Sequence, residues 1–421
     1  MNTVGGTNLV AGPRPHILSW WREGTSAAHR SLAAASLGWM FDAFDVMLYA
    51  LVITALIRDF SLTITMAGLL GALTLIGSGF GGVFFGMLAD RCGRRLALTS
   101  SILTYSIFTA ACALSQNATQ LGVFRFLVGL GMGGAWTAGA VLVSETWPDK
   151  HRGKALGFMQ SFWAVGYIAA ALVVAYVLPR FGWRVVFLIG ALPVMLALWI
   201  RAGIPESQLW LSGRGIGRSG HLREIFQGGY GRLSVTLTVL SLLTLFAYWG
   251  LNLWVPAYLS LPVARGGIGL GTSMTTQIVV LMQLGLWCGY VSFGYVADAI
   301  GRRKTFVGYL LIAAVLVMLF SSTRNPSLLL MLSPFVAFFG AGYFSGFGAV
   351  TAEIYPTSIR ATAQGFTFNV GRLGSAIAPF VVGSLAETNG FGAAFAITVA
   401  ALVLGALTWI WLPETRGRSL A

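Results

Sequence analysis

Gly86-Met87-Leu88-Ala89-Asp90-Arg91-Cys92-Gly93-Arg94-Arg95 and Gly294-Tyr295-Val296-Ala297-Asp298-Ala299-Ile300-Gly301-Arg302-Arg303 share one pattern, GxxADxxGRR, 208 positions apart. The same offset returns downstream. Glu145, Pro148, Arg152, Ala155, Gly157 and Phe158 recur as Glu353, Pro356, Arg360, Ala363, Gly365 and Phe366, and Pro205-Glu206 recurs as Pro413-Glu414. Matches at three separate places with one spacing mark a duplicated chain, two structural halves in parallel.

The sequence around these motifs is apolar. The chain of 421 residues is 56% hydrophobic and 10% charged, against roughly 25% charged in soluble domains. Continuous apolar runs of about 20 residues, each able to cross some 30 Å of hydrocarbon, fall near 31–57, 66–89, 96–115, 120–143, 155–179 and 184–202. A second set falls near 233–259, 273–297, 304–322, 327–350, 361–386 and 391–412. Backbone in lipid must satisfy its own hydrogen bonds, so these runs are expected as helices; a β-barrel would show short alternating segments instead. The expected fold is an all-α integral membrane protein with twelve transmembrane helices in two six-helix halves. The segments are 1–30 (N-terminal), 31–202 (first bundle), 203–232 (linker rich in Gly, Ser and Arg), 233–412 (second bundle) and 413–421 (tail). No apolar core with a small-residue cleavage site precedes the first run, so no signal peptide is expected.

The net charge of +14 would suggest nucleic acid in a soluble protein; here it reads as topology. Twelve spans place both termini on one side. Twenty of the 27 Lys and Arg lie on loops of that side, Arg14, Arg214 and Arg218 among them, and five lie opposite: Arg58, Arg180, Arg184, Arg265 and Arg324. The positive-inside rule puts both termini in the cytoplasm of a plasma membrane, expected as a bacterial inner membrane. The two remaining basic residues, Arg125 and Arg372, fall inside spans. Cys92, Cys112 and Cys288 are scattered without metal-ligand spacing, as are the four histidines, so neither metal nor disulfide framework is expected.

The paired GxxADxxGRR loops, the ExxPxxxR loops and the terminal Pro413-Glu414-Thr415-Arg416-Gly417-Arg418 resemble the major facilitator superfamily over essentially the whole chain. Phe41-Asp42-Ala43-Phe44-Asp45 and Ser144-Glu145-Thr146-Trp147-Pro148 resemble the sialate/lactate-type proton symporters, and aromatic-acid:proton symporters carry a similar DxFD. Relatives often read Gly-Gly-Glu-Trp in span 4 where this chain has Gly133-Gly134-Ala135-Trp136, a departure that bears on proton coupling. The resemblance implies a monomeric secondary transporter working by alternating access, with a small organic anion, a proton and the bilayer as partners and no nucleic acid. Its drive is the proton gradient rather than a cofactor. Parallel six-span repeats place the substrate near the midplane between the halves. No Ser/His/Asp, Cys/His or metal constellation supports an enzyme.

The repeat also sorts residues. Those that match across the offset are scaffold, and the resemblance implies a gate for them: Asp90, Arg94, Glu145 and Arg152 with Asp298, Arg302, Glu353 and Arg360. Unmatched polar residues inside spans are costly and are functional candidates. Asp42 stands opposite Gly250 in the repeat and Asp45 opposite Leu253. Two carboxylates three residues apart share a helix face and cannot both ionise cheaply in low dielectric, which suits proton loading and release. Asp45, deeper in the span, is the first candidate, with Asp42 orienting it or one of them pairing with Arg125. Arg372 stays charged and presents a planar fork for a carboxylate; an ion pair with Asp42 or Asp45 is the alternative. Asn369, one turn away, reaches the same ligand. Arg125 is assigned to helix packing or an outer gate. Tyr248, Asn252, Gln277 and Gln283 are further binding candidates. Trp136, Phe162, Trp163, Trp249, Trp287 and Tyr343 are candidate apolar walls. The expected function is proton-coupled symport of a small organic anion, a monocarboxylate such as lactate first, sialate or an aromatic acid next. A neutral-sugar:proton symporter or a proton-driven exporter is the alternative.

Overall fold

The computed structural model describes residues 19–62, 64–213, 221–263 and 266–420. Arg14, Arg214, Arg218 and Arg265 of the loop charges lie outside them. Among the described residues ten continuous helical stretches are long and apolar enough to cross a membrane. Two of these, 149–203 and 360–408, each hold two spans, which completes twelve. Spans 1 to 4 are Ser26–Asp59, Ile64–Cys92, Arg94–Ala113 and Ala118–Thr146. Spans 5 and 6 run within Arg152–Ile189 and Pro193–Gly203, the turn between them at Gly182. Span 7 is Tyr230–Asn252 continued by Val255–Ser260; spans 8 and 9 are Thr272–Ile300 and Arg302–Ser322. Span 10 is Pro326–Gly342 continued by Phe344–Ile354. Spans 11 and 12 run within Arg360–Ser375 and Ala378–Thr408, turning at Gly390. Several helices outrun the expected apolar limits by two to four residues at the charged ends, because hydropathy marks the hydrocarbon-matched part only.

Side-chain caps set helix starts. Thr25 Oγ1 accepts from Ala28 N and Asn117 Oδ1 from Gln120 N, each satisfying a first-turn donor that has no intrahelical partner. The duplication extends to the backbone. Gly182 and Gly390 turn with φ 76° and 80°, and Gly93 and Gly301 both have φ 107°, a region that favours glycine. Each of the latter pair is the elbow of a GxxADxxGRR motif, and the repeated Pro-Glu explains itself there. Glu206 Oε1 accepts from Arg94 N at 3.0 Å, and Glu414 Oε1 from Arg302 N at 2.9 Å, so each glutamate caps the helix after its elbow. Backbone donors from Arg302, Arg303, Thr415 and Arg416 hold the Glu414 carboxyl below its ordinary value against the opposing pull of its partial burial.

One apolar core is built from spans 1–6 and takes in Ala361 of span 11; the other runs through spans 7–12 and continues across the seam into residues of spans 1, 4 and 5 such as Trp39, Trp136 and Trp163. Across the halves, span 2 lies along span 11 and span 5 along span 8; spans 1 and 7 have no comparable contact. The close approach depends on paired glycines. A Cβ on Gly86 would stand 2.5 Å from the Ala361 carbonyl oxygen, and one on Gly294 2.3 Å from that of Gly153. The halves are therefore shut together at the end that carries both described termini.

Candidate functional site

The closed end is held by two charge clusters that descend from the repeated motifs. In one, Arg94 Nε and Nη2 donate to both oxygens of Glu145 at 3.1 and 3.0 Å, and Arg94 pairs with Asp90 at 3.0 Å. Arg360 reaches Glu145 from the other half at 2.6 Å, and Arg94 Nη2 donates to the Thr357 carbonyl at 2.6 Å. Asp90 caps span 11, accepting from Ala361 N at 3.1 Å and Thr362 N at 2.7 Å. In the other cluster Arg302 donates to both oxygens of Glu353, Arg152 joins Glu353 across the halves at 3.2 Å, and Thr415 Oγ1 donates to Glu353 at 2.6 Å. The clusters are not equivalent. Asp298 pairs with Arg302, but its Oδ2 has no partner, and it caps no helix of the opposite half. All four arginines are buried, so each pair depends on complete partnering.

Further from that end, between the halves, a small cavity with room for about one or two waters in this form is lined by Trp39, Asp42, Val46, Thr74, Leu75, Ser78, Met132, Trp163, Trp249 and Arg372. Two of the candidates meet here. Arg372 is 9% exposed and makes no ion pair within 4 Å among the described residues; its guanidinium stands 5.9 Å from the Trp39 ring centre and 5.7 Å from that of Phe368. Asp42 is 1% exposed, and neither carboxyl oxygen has a hydrogen-bond partner among the described residues. An unpartnered carboxylate this deep is among the most costly groups a protein can hold.

Asp45 is placed differently. Its Oδ2 pairs with Arg125 at 3.2 Å and its Oδ1 accepts from Thr109 Oγ1 at 2.6 Å, while Arg125 Nε donates to Thr74 and its guanidinium lies over the Tyr49 ring. These partners are all in the first half. The helix turns 100° per residue, so a spacing of three puts two side chains on one face without giving them the same neighbours. The expected order, Asp45 before Asp42, has no support in these contacts, and neither has an outer-gate role for Arg125; it is a packing partner inside one bundle. Ala135 lies in that bundle's apolar core.

The other candidates separate. Asn369 donates to Thr137 Oγ1 of the opposite half at 3.3 Å, with its Oδ1 unpartnered, one turn below Arg372 and outside the cavity wall. Tyr248 and Asn252 line a second small cavity of the second bundle, where Asn252 donates to its own helix at Tyr248 O, while the Tyr248 side chain also reaches Trp163 of the opposite half, a wall of the first cavity. Gln277 and Trp287 are exposed and Gln283 is half-buried, none of them in the cavity wall: span 8 can turn only one face inward, and it turns Tyr290. Phe162 packs at a tilt against Phe158 instead, and Tyr343 packs with its hydroxyl toward Thr244 O. Trp163 and Trp249 are walls as expected. Missed were Trp39, one turn before Asp42, Phe368, one turn before Arg372, and Gln160, which accepts from Trp136 Nε1 at 3.2 Å and lies beside the Tyr290 hydroxyl. The first two could have been read from helical spacing around the charges, and Gln160 from the repeat, since it stands opposite Phe368 and is an unmatched polar residue inside a span.

Comparison with known proteins agrees with this architecture. The niacin transporter NiaP of Acinetobacter baylyi is 33% identical over 421 aligned positions, covering 92% of this chain and 94% of that protein. The cis,cis-muconate transport protein of the same organism is 34% identical, covering 90% and 93%. A solved structure of the proton:xylose symporter XylE superposes with a TM-score of 0.76 over 94% of this chain and 98% of that one; at 21% identity the likeness is one of fold. The sequence profile of the Major Facilitator Superfamily matches residues 35–285 and 260–420. With its doubled six-span bundles and doubled charge clusters, the chain is a multi-pass membrane transporter, not an enzyme, and it belongs to the Major Facilitator Superfamily.

Proposed function

We propose that the protein takes up a small, flat organic carboxylate together with a proton, and that Arg372 and Asp42 are the pair that couples them. The observation that carries this is their placement: a guanidinium without an ion pair and a carboxyl without a hydrogen bond, among the described residues, line one cavity between the halves. Charge arithmetic supplies the coupling. With Asp42 ionised and Arg372 charged, the empty site is neutral overall. A carboxylate arriving on Arg372 adds one negative charge, and one proton on Asp42 restores neutrality. The empty and the fully loaded sites can therefore be occluded in low dielectric, while a site holding substrate or proton alone carries net charge and is costly to enclose. The ion pair of Asp45 with Arg125 stays intact through the cycle.

Three indole walls, Trp39, Trp163 and Trp249, suit a conjugated planar acid better than lactate, and the relatives named for niacin and muconate carry such acids. The basic loops favour both termini in the cytoplasm of a bacterial inner membrane, and on that reading the closed end faces the cytoplasm. The cycle runs from substrate on Arg372 and proton on Asp42, through release of the two charge clusters, to discharge inside.

The test is uptake into proteoliposomes under an imposed pH gradient, with labelled nicotinate, muconate, benzoate, lactate, sialic acid and hexose. Acid-driven accumulation of a planar carboxylate is expected. Arg372→Lys loses the planar fork and weakens binding about ten- to a hundredfold. Asp42→Asn is expected to exchange substrate but no longer concentrate it. Hexose uptake without acid uptake would sink the proposal, as would undiminished accumulation by Asp42→Asn.

A further inference from the structure

We infer that the stacked rings of Trp136 and Phe368 form the inner gate beneath the substrate cavity, released when a ligand carboxylate draws Arg372 away from Phe368. The second clause rests on the function proposed above; the first does not. The two rings belong to opposite halves, Trp136 on span 4 and Phe368 on span 11. Their centroids are 4.0 Å apart and their planes 24° from parallel. The other stacked ring pairs, Phe108–Phe124, Tyr309–Phe338 and Phe344–Phe347, each lie within one half. The next residue on each helix adds to the clasp, since Asn369 donates to Thr137 across the same seam. Immediately below, a Cβ on Gly365 would stand 2.0 Å from the Gly82 carbonyl oxygen, so backbone meets backbone there.

Both rings are held from behind. Trp136 donates to Gln160 in its own half. Phe368 is backed by Phe347 at 5.5 Å and Phe344 at 6.4 Å, the latter opening the inner segment of span 10 just beyond its break at Tyr343. Above, the Arg372 guanidinium lies 5.7 Å from the Phe368 ring centre. A charge-assisted bidentate bond to a carboxylate is stronger than a cation–π contact. An arriving acid therefore takes the guanidinium from the ring, and the stack loses the cation that covers it. The halves cannot part at the terminal end without separating these rings.

Electron-spin distance measurement on the full chain in nanodiscs tests this, with labels at Lys150→Cys and Ser358→Cys, exposed sites of opposite halves at the terminal end, and the exposed Cys92 and Cys288 replaced by Ser. Without substrate, Phe368→Ala is expected to raise the long-distance population about three- to tenfold, the worth of one aromatic pair. Phe368→Tyr should restore the wild-type distribution. Nicotinate at acid pH should lengthen distances in wild type and add little in Phe368→Ala. Unchanged distances in Phe368→Ala, even with a lowered melting temperature, would reduce the stack to packing and overturn the gate. If wild type takes up no carboxylate, the proposed function fails instead, and the substrate-free distances still decide the gate.

Discussion

Replacing Asp90 by Asn isolates the part of the latch that differs between closed and open states. Asp90 pairs with Arg94 inside its own half at 3.0 Å, and that pair survives opening. Its bonds from Ala361 N and Thr362 N, at 3.1 and 2.7 Å, cross the seam and do not. Only contacts that differ between states move the equilibrium. The first-turn amides of a helix have no intrahelical acceptor, so Asp90 is what protects these two. Asn keeps one acceptor oxygen and loses the charge. The loss amounts to one charge-assisted hydrogen bond, about 1.5–3 kcal/mol, or about a ten- to hundredfold shift toward the open form. Hydrogen exchange read by mass spectrometry on a peptide covering 359–364 is expected to accelerate by that factor, with slower net uptake. Asp298→Asn supplies the contrast: Asp298 caps nothing across its seam, so exchange at the start of the Arg152 helix should change little. Equal effects of the two substitutions, or unchanged protection at Ala361 and Thr362 in Asp90→Asn, would refute the reasoning.

Asp45→Asn leaves Arg125 buried without its charge partner and is expected to cost about 3–5 kcal/mol, seen as a lower melting temperature in detergent, whereas Asp42→Asn removes no hydrogen bond and should melt at or above wild type. Gly86→Val places carbon atoms within 2.5 Å of the Ala361 carbonyl, so the closed end cannot seat; a terminal-end cysteine in that variant should react faster with thiol reagents. Glu414, with its carboxyl held below the ordinary value of 4.5 by backbone donors, stabilises the fold at pH above that value and loses the contribution as pH falls through the lowered one. The melting-temperature difference between wild type and Glu414→Gln should therefore be constant at neutral pH and shrink in acid.

Much of this protein is legible in one dimension because the duplication writes its scaffold twice. A motif that recurs at 208 residues separates what both bundles need from what one site needs, and the twelve spans follow from chain length in hydrocarbon. Asp42 and Arg372 were visible for the same reason: a charge in an apolar span is expensive and therefore conspicuous. Partnering was not visible. Asp42 and Asp45 are three residues apart on one helix, yet one bonds to Arg125 and Thr109 while the other makes no hydrogen bond among the described residues and faces the cavity, because span 3, span 4 and the cavity approach that helix from different angles. Nor could spacing show that Asn252 turns back onto its own helix, that Gln277 and Trp287 are exposed, or that Trp136 would lie flat on a phenylalanine 232 positions away. The sequence by itself determined the duplication, the spans and the rare intramembrane charges, since these depend on local composition and period. The tertiary structure alone decided which charge is paired and which is free, because that depends on helices brought together across the two halves.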